Sequence, residues 1–338
     1  MSVAIINAAQ SLPGPAVGGR GARFGDVVML GLVLACPHAL AAYRPADRWP
    51  DIHRLLAGDV PQPTAFADET PDNVIEHAAR ADSAFGALAD SLRDYAPDAI
   101  VIVSDDGGAI FGPTQVPQFT VYTGRDISAP NGSAFLGEPE SGLTTVECDQ
   151  ELAEEILAEL VDHELDMTYS QFLNPQASDG PRAEGPRTVI WPLKRLDPGG
   201  IHPVVPLFVN TRVTPAPDGN RCYALGNTLA EILSSRKERV ALVVAGGMSG
   251  DPLGPRAGHI DVRLDRWAME QIRRGRGERL KPMFDLDSDT LRGSTAEYRQ
   301  WIVGVGAGEA MGAAATVVDY IPAHHATVGL GFVAWQAN

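Results

Sequence analysis

The sequence predicts an α/β protein, a single large domain in which a central parallel or mixed sheet carries helices on both faces. Several runs of strand length consist almost entirely of apolar residues, which is typical of strands that are buried on both sides. Segments with apolar residues at helical spacing separate these runs. The chain has 338 residues, a length that suits one large domain or two smaller ones. Because no linker or internal repeat divides it, we predict one domain.

The predicted elements alternate along the chain. The predicted strands cover residues 27–35, 99–104, 165–169, 204–209 and 239–245. The predicted helices cover residues 70–95, 150–163, 226–235 and 261–274. Residues 1–26 are rich in Gly, Ala and Pro and are predicted to form an N-terminal arm, so that the domain covers residues 27–338. The segment 174–200, rich in Pro and Gly, is predicted to be a long insertion loop.

The composition excludes several classes of function. There are 27 Lys and Arg residues against 43 Asp and Glu residues, a net charge of -16. This charge repels phosphate backbones and anionic lipids, so we expect neither a nucleic-acid nor a membrane partner. Cys36, Cys148 and Cys222 are far apart and form no CxxC pair, so the sequence indicates neither a disulfide framework nor a cysteine zinc site. A reducing compartment, and hence a cytoplasmic location, is the simplest expectation.

Polar residues follow the predicted strands. The segments are Cys36-Pro37-His38, Ser104-Asp105-Asp106-Gly107, Val209-Asn210-Thr211 and Gly246-Gly247-Met248-Ser249-Gly250. A further segment, Gly293-Ser-Thr-Ala-Glu297, begins an amphipathic helix. The set holds one histidine and three carboxylates, which are ligand types that suit Fe(II) or Mn(II). Taken singly, His38 also fits a packed histidine, Asp105 and Asp106 fit turn caps, and Glu297 fits a first-turn helix carboxylate.

Taken together and in order, these segments resemble a known family. The matching segments are Pro37-His38, Asp98-Ala-Ile-Val-Ile-Val-Ser-Asp-Asp106, Leu165-Asp-Met-Thr168, Pro203-Val-Val-Pro-Leu-Phe-Val-Asn210, Gly246-Gly-Met-Ser249 and Gly293-Ser294 with Glu297. They resemble the catalytic large subunit of the LigB-type class III extradiol ring-cleavage dioxygenases, such as protocatechuate 4,5-dioxygenase. The resemblance spans about residues 27 to 335. It implies a LigB-like α/β fold and the cleavage of an aromatic ring with O2.

The resemblance also implies a metal centre that departs from the family pattern. Family members hold Fe(II) with two histidines and a glutamate, and His38 and Glu297 match one histidine and the glutamate. Gly107 stands at the position of the second histidine, and Gly250 stands at the position of a further histidine that acts in acid–base or oxygen chemistry. We predict Asp106 as the third metal ligand, with Asp105 or a distant histidine as the alternatives.

Three further residues are predicted to belong to the site, of which His259 is a candidate, as are His324 or His325, to replace the histidine missing at position 250. Asn210, Ser249 and His259 are predicted to line the pocket or to handle protons. The expected substrates are O2 and a small aromatic diol or cyclic enol, and the expected cofactor is Fe(II) or Mn(II). The expected assembly is a homo-oligomer, or a hetero-oligomer with a related or small subunit. Two alternatives stay open at this point. One is a catalytically inactive subunit that assembles with an active paralogue, and the other is a lyase, hydrolase or isomerase that reuses the pocket without O2.

Overall fold

The computed structural model describes residues 30–108, 111–112, 115–138, 142–173 and 186–337. The strands are β1 (Leu32–Cys36), β2 (Ala99–Ser104), β3 (Phe119–Tyr122), β4 (Asp126–Pro130), β5 (Leu143–Glu147), β6 (Met167–Ser170), β7 (Val204–Val209), β8 (Val240–Ala245), β9 (Ala314–Ala323) and β10 (Val328–Gln336). The helices are α1 (Trp49–Ala57), α2 (Thr64–Asp68), α3 (Pro71–Tyr95), α4 (Gln150–Asp162), α5 (Arg187–Leu196), α6 (Gly219–Ser234), α7 (Val262–Arg273) and α8 (Tyr298–Ala310). Short 3₁₀ turns connect several of them.

Eight of these strands form one mixed sheet in the order β6-β3-β7-β2-β8-β1-β10-β9. At its centre β7, β2, β8 and β1 run parallel, whereas β3 pairs antiparallel with β7, and β10 pairs antiparallel with both β1 and β9. The strands β4 and β5 form a separate antiparallel pair. Parallel pairing directs the carboxyl ends of β1, β2, β7 and β8 to one edge of the sheet. In α/β folds the loops at this edge usually contain the ligand-binding and catalytic residues.

Alternate residues of the central strands pack into two apolar cores, one on each face of the sheet. The first core includes residues of α1, α3 and α5, and the second includes residues of α4, α6, α7 and α8. Helix α3 begins at a capping box, in which the Thr70 side chain accepts from the Asn73 backbone N–H, with Pro71 in the first turn. The prediction of one α/β domain with helices on both faces is confirmed.

Close backbone contact fixes α8, the helix that follows Glu297. A Cβ atom on Gly226 in α6 would lie 2.1 Å from the Val303 carbonyl oxygen, and one on Gly306 in α8 would lie 2.4 Å from the Tyr223 carbonyl oxygen. Larger side chains at either position would push the two helices apart. The glycines therefore set the position of α8 against the sheet, and with it the position of Glu297.

One predicted segment differs from the observed elements, and another is not covered by the described residues. The loop predicted over 174–200 contains helix α5, because Val189, Ile190 and Leu193 pack into the first core despite the Pro- and Gly-rich composition. The first strand begins at Leu32, whereas the predicted N-terminal arm, residues 1–26, lies outside the described residues. No helix within the described ranges is both long and apolar enough to cross a membrane.

Candidate metal centre

Three side chains from distant parts of the chain meet at the carboxyl edge of the sheet. His38 follows β1, Asp105 follows β2, and Glu297 ends the 3₁₀ turn that leads into α8. Strand β8 lies between β1 and β2 and runs parallel to both. The His38 Nε2 atom lies 3.2 Å from Glu297 Oε2 and 3.5 Å from Asp105 Oδ1. One ligand atom from each residue lies within 4.8 Å of the other two.

The cluster is buried, and its electrostatics follow from that burial. The side chains of His38, Asp105 and Glu297 are 7%, 0% and 2% exposed. Burial alone lowers the pKa of His38, but the carboxylates of Glu297 and Asp105 outweigh it and raise the pKa to about 9. Burial alone raises the pKa of Asp105, but the cations of His38 and Arg212 outweigh it and hold that pKa below its usual value.

Asp105 is held by hydrogen bonds to both carboxylate oxygens and to its backbone. The Gly107 backbone N–H donates to Oδ1 at 3.1 Å, and the Thr211 hydroxyl donates to Oδ2 at 3.0 Å. The Thr188 hydroxyl donates to the Asp105 carbonyl at 2.6 Å. Gly107 adopts a φ of 60°, a left-handed conformation that glycine accepts without strain, so the chain can turn back and bring its N–H to this carboxylate.

Glu297 is held by the glycine turn that follows β8. The Gly247 backbone N–H donates to Glu297 Oε2 at 2.6 Å. The Trp301 indole N–H in turn donates to the carbonyls of Gly246 and Gly247, each at 3.1 Å. A Cβ atom on Gly247 would lie 2.9 Å from Glu297 Oε2, which is too close for any other residue at this position without a shift. The Gly-Gly pair after β8 thus forms a backbone cradle for the glutamate.

Two residues that the sequence reasoning missed also contact the cluster. Arg212 Nε lies 3.4 Å from Asp105 Oδ2, and Arg212 Nη2 lies 3.6 Å from Glu297 Oε1. The buried Gln300 amide accepts from the Asp105 backbone N–H at 2.8 Å and donates to the Glu297 carbonyl, so it links the two acidic segments. The available signals were weak: Arg212 follows the predicted Asn210 by two positions, and Gln300 lies one helical turn beyond Glu297.

Asp105, and not the predicted Asp106, faces His38 and Glu297. The Asp106 carboxylate turns into its own loop, where it accepts from the backbone N–H groups of Gly108 at 3.1 Å and Phe111 at 2.7 Å. Asp106 therefore has the turn-capping geometry that the sequence reasoning allowed as its structural role. Adjacent residues at a strand end face different directions, and the turn at Gly107 decides which carboxylate faces the cluster.

The three predicted pocket residues lie in other local networks. The Asn210 side chain bonds within its own turn, donating to the Val213 carbonyl at 2.7 Å. The Ser249 hydroxyl donates to the buried Asp265 at 2.9 Å and accepts from the Asp261 backbone N–H at 2.8 Å. His259 Nε2 lies 2.9 Å from the Pro61 carbonyl. Ser249 and His259 line a small cavity of about 30 Å³.

A histidine at position 250 would not fit the observed backbone. A Cβ atom on Gly250 would lie 2.5 Å from the Thr327 carbonyl oxygen, and the Gly250 backbone N–H donates to the Thr295 hydroxyl at 3.1 Å. The loop before β10 therefore occupies the space into which a side chain at this position would extend. Position 250 therefore contributes no side chain to the cluster.

The donor set fits a divalent metal ion. His38 Nε2 is buried and makes no hydrogen bond of ordinary geometry, although the oxygens of two carboxylates lie close to it. A buried ring nitrogen in this position is suited to bind an ion placed between it and the two oxygens. One imidazole nitrogen and two carboxylate oxygens form a three-ligand set of nitrogen and oxygen donors, which suits Fe(II) or Mn(II) and leaves coordination positions open. His38, Asp105 and Glu297 are thus the residues that would hold the metal.

A cavity of about 560 Å³ is lined by residues next to the cluster, and its lining does not include His38, Asp105 or Glu297. Thr211 and Arg212, which contact Asp105, line it, as does Ala296, the residue before Glu297. Its volume is within the range of about 300–1,000 Å³ that is usual for small-molecule sites.

Comparison with known proteins identifies the family. The model of the catalytic LigB subunit of aromatic ring-opening dioxygenases matches residues 61–331. This chain belongs to the LigB family. The family match confirms the resemblance drawn from the sequence. In this LigB chain the candidate metal centre combines one histidine with two carboxylates.

Curated relatives of this LigB chain are named 2,3-dihydroxyphenylpropionate/2,3-dihydroxicinnamic acid 1,2-dioxygenases. The protein from Photorhabdus laumondii is 26% identical over 181 residues, which are 54% of this chain and 52% of the relative. The protein from Mycolicibacterium gilvum is 26% identical over 175 residues, which are 52% of this chain and 50% of the relative. The chain thus spans about half the length of these relatives. A solved structure of an uncharacterized Escherichia coli K12 protein aligns with 90% of the chain at 14% identity and a TM-score of 0.47.

Proposed function

We propose that this chain is a metal-dependent ring-cleavage dioxygenase that acts on a small aromatic diol or cyclic enol with O2. The metal would be Fe(II), or alternatively Mn(II), held by His38, Asp105 and Glu297. The observation that carries the proposal is the convergence of these three buried side chains beside the cavity of about 560 Å³. Membership of the LigB family and the names of the curated relatives support the same class of reaction.

The two carboxylates that would bind the metal are already held in position in the metal-free site. The hydrogen bonds from Gly107 and Gly247 fix the two carboxylates with one oxygen of each toward His38. Fixed ligands lose little conformational freedom when the ion binds, and the dry surroundings strengthen their attraction for it. A bound Fe(II) or Mn(II) would supply Lewis-acid activation of the diol and electron transfer to O2.

The cavity supports a substrate of modest size. Its lining combines apolar groups, including Pro215, Phe284 and Leu286, with polar groups, including Thr211 and Arg212. The apolar residues suit the face of an aromatic ring, and Thr211 and Arg212 also contact Asp105. We propose a cytoplasmic location as well, because three free thiols are typical of proteins from a reducing compartment.

The proposal is tested by metal content and O2 uptake of the full chain. Protein reconstituted anaerobically with Fe(II) is expected to retain about one metal ion per chain and to consume O2 with one or more members of a panel of catechols, including 2,3-dihydroxyphenylpropionate. Asp105→Asn and Glu297→Gln are expected to lose the metal, because each removes one of three charged or nitrogen ligands. Asp106→Asn is the matched control, since its carboxylate lies in the adjacent loop.

Three results would contradict the proposal in different ways. Absence of metal binding by the wild-type chain would favour an inactive subunit. Metal loss in Asp106→Asn with retention in Asp105→Asn would overturn the ligand assignment. Turnover of a panel compound without O2 consumption would replace the dioxygenase by a lyase, hydrolase or isomerase.

A further inference from the structure

We propose that Arg212 is a positioning residue of this metal centre, whose guanidinium holds the outer oxygens of Asp105 and Glu297 so that their inner oxygens face His38. The inference rests on the proposed function, since it assigns a role in metal binding. Arg212 Nε lies 3.4 Å from Asp105 Oδ2, and Arg212 Nη2 lies 3.6 Å from Glu297 Oε1. The opposite oxygens, Asp105 Oδ1 and Glu297 Oε2, are those that lie 3.5 Å and 3.2 Å from His38 Nε2.

The contacts of each carboxylate divide between its two oxygens in the same way. The inner oxygen of Asp105 accepts one backbone N–H, from Gly107, and the inner oxygen of Glu297 accepts one backbone N–H, from Gly247. A carboxylate oxygen has two lone-pair directions, so each inner oxygen keeps one for a metal ion. Because Arg212 occupies the outer side, a rotation of either carboxylate would exchange an oxygen that faces His38 for one that faces the guanidinium.

The shape of the arginine side chain is essential to this role. Two different nitrogens of one planar group contact two carboxylates that belong to distant segments of the chain. A lysine ammonium has the same charge, but it is a single point on a flexible stem and cannot present two separate nitrogens to the two carboxylates. A positioning role therefore predicts that Arg212→Lys binds the metal more weakly than the wild type. A role of charge alone predicts that Arg212→Lys binds it as the wild type does.

Arg212 is itself fixed by the turn that follows β7. The Asn210 side-chain oxygen accepts from the backbone N–H groups of Arg212 at 3.2 Å and Val213 at 2.9 Å. This geometry sets the direction in which the arginine leaves the backbone. The Arg212 side chain is 39% exposed and lines the cavity, so its replacement removes a surface of the cavity and leaves both apolar cores intact.

The experiment compares the wild-type chain with Arg212→Met, Arg212→Lys and Arg212→Ala. The dissociation constants for Mn(II) and Co(II) are measured, together with the visible absorption spectrum of the Co(II) protein, which reports the number and geometry of the ligands. Arg292→Met is the matched control, because Arg292 lines the same cavity but pairs with Asp287 and Asp289. Thermal unfolding of each metal-free variant checks that it folds.

We expect Arg212→Met and Arg212→Lys both to weaken metal binding by about 10- to 100-fold, the usual effect of losing an outer partner of a metal ligand. The Co(II) spectrum is expected to change in both variants, and methylguanidinium is expected to restore part of the affinity of Arg212→Ala. Arg292→Met is expected to bind as the wild type does. Tighter binding by Arg212→Met, or wild-type binding by Arg212→Lys, would overturn the role. If the wild-type chain binds no metal, the proposed function fails first, and the role of Arg212 fails with it.

Discussion

The affinity of the site for a divalent metal is expected to rise steeply with pH. In the metal-free protein the pKa of His38 is raised to about 9 by Glu297 and Asp105, so the ring carries a proton at neutral pH. That proton must leave before Nε2 can bind an ion. The pKa of Asp105 is lowered, so this carboxylate stays ionised throughout the neutral range and adds no pH dependence of its own.

The size of the effect follows from the raised pKa. With a pKa of about 9, only about 1% of metal-free molecules have a neutral His38 ring at about pH 7, which costs about 2.7 kcal/mol of metal-binding free energy. Below the pKa, each unit of pH is expected to tighten binding about tenfold, and one proton is expected to leave for each ion bound. From about pH 6 to about pH 8 the dissociation constant should therefore fall by about 100-fold.

Mn(II) titrations provide the measurement. The free ion is followed by electron paramagnetic resonance in weakly coordinating buffers at constant ionic strength, and the protons released are measured in an unbuffered solution with an indicator. His38→Gln is the control, because a glutamine can present an oxygen ligand but has no proton to lose in this range. A dissociation constant that does not change between about pH 6 and about pH 8 in the wild-type chain would refute the reasoning, since it would show that the ring is already neutral.

Three further predictions concern stability and the glycine cradle. The metal-free protein is expected to lose about 3 kcal/mol of unfolding free energy as the pH rises from about 6.5 to about 9. The reason is that the raised pKa of His38 stabilises the fold only while the ring keeps its proton. Urea denaturation measures the loss, and an equal loss in His38→Gln would refute the prediction. Gly247→Ala is expected to weaken Mn(II) binding at least about tenfold in the Mn(II) titration, because the added Cβ would lie 2.9 Å from Glu297 Oε2. The control is Gly86→Ala, which has open space around its Cβ and is expected to bind Mn(II) as the wild type does. Asp265→Ala is expected to cost about 4 kcal/mol in urea denaturation, because it leaves three buried hydrogen-bond donors and the half-buried Tyr320 hydroxyl without their acceptor. A loss below about 1 kcal/mol would contradict it.

The parallel centre of the sheet was predictable from local pattern, whereas β3, β9 and β10 were not predicted. The apolar runs of β2, β7 and β8 are buried along their whole length, and such runs separated by helical periodicity have few other solutions. Helix α5 was not predicted, because the Pro- and Gly-rich composition of its segment indicated a loop. Its segment carries Pro192 and follows a Gly- and Pro-rich stretch, whereas tertiary packing of Val189 and Ile190 stabilises the helix.

The site was predictable in its position and less so in its members. His38 and Glu297 were predicted because His38 follows the first strand and Glu297 follows Gly293-Ser294, two positions that match the family resemblance. The choice between Asp105 and Asp106 depends on the direction in which the chain leaves β2, and contacts from distant segments set that direction. Thr188 and Thr211 contact Asp105 from α5 and from the turn after β7, and no local pattern around position 105 contains them.

The turn after β7 shows what Asn210, a predicted pocket residue, does beside the cluster. Asn210 follows β7 at the same edge of the sheet as the cluster, which makes it a reasonable pocket residue by position. Its side chain instead shapes the turn that presents Thr211 and Arg212 to the two carboxylates. A polar residue at a strand end can thus serve a site by fixing the backbone of its neighbours. The residues one and two positions beyond a turn-forming Asn at a strand end are therefore candidate site residues as much as the Asn itself.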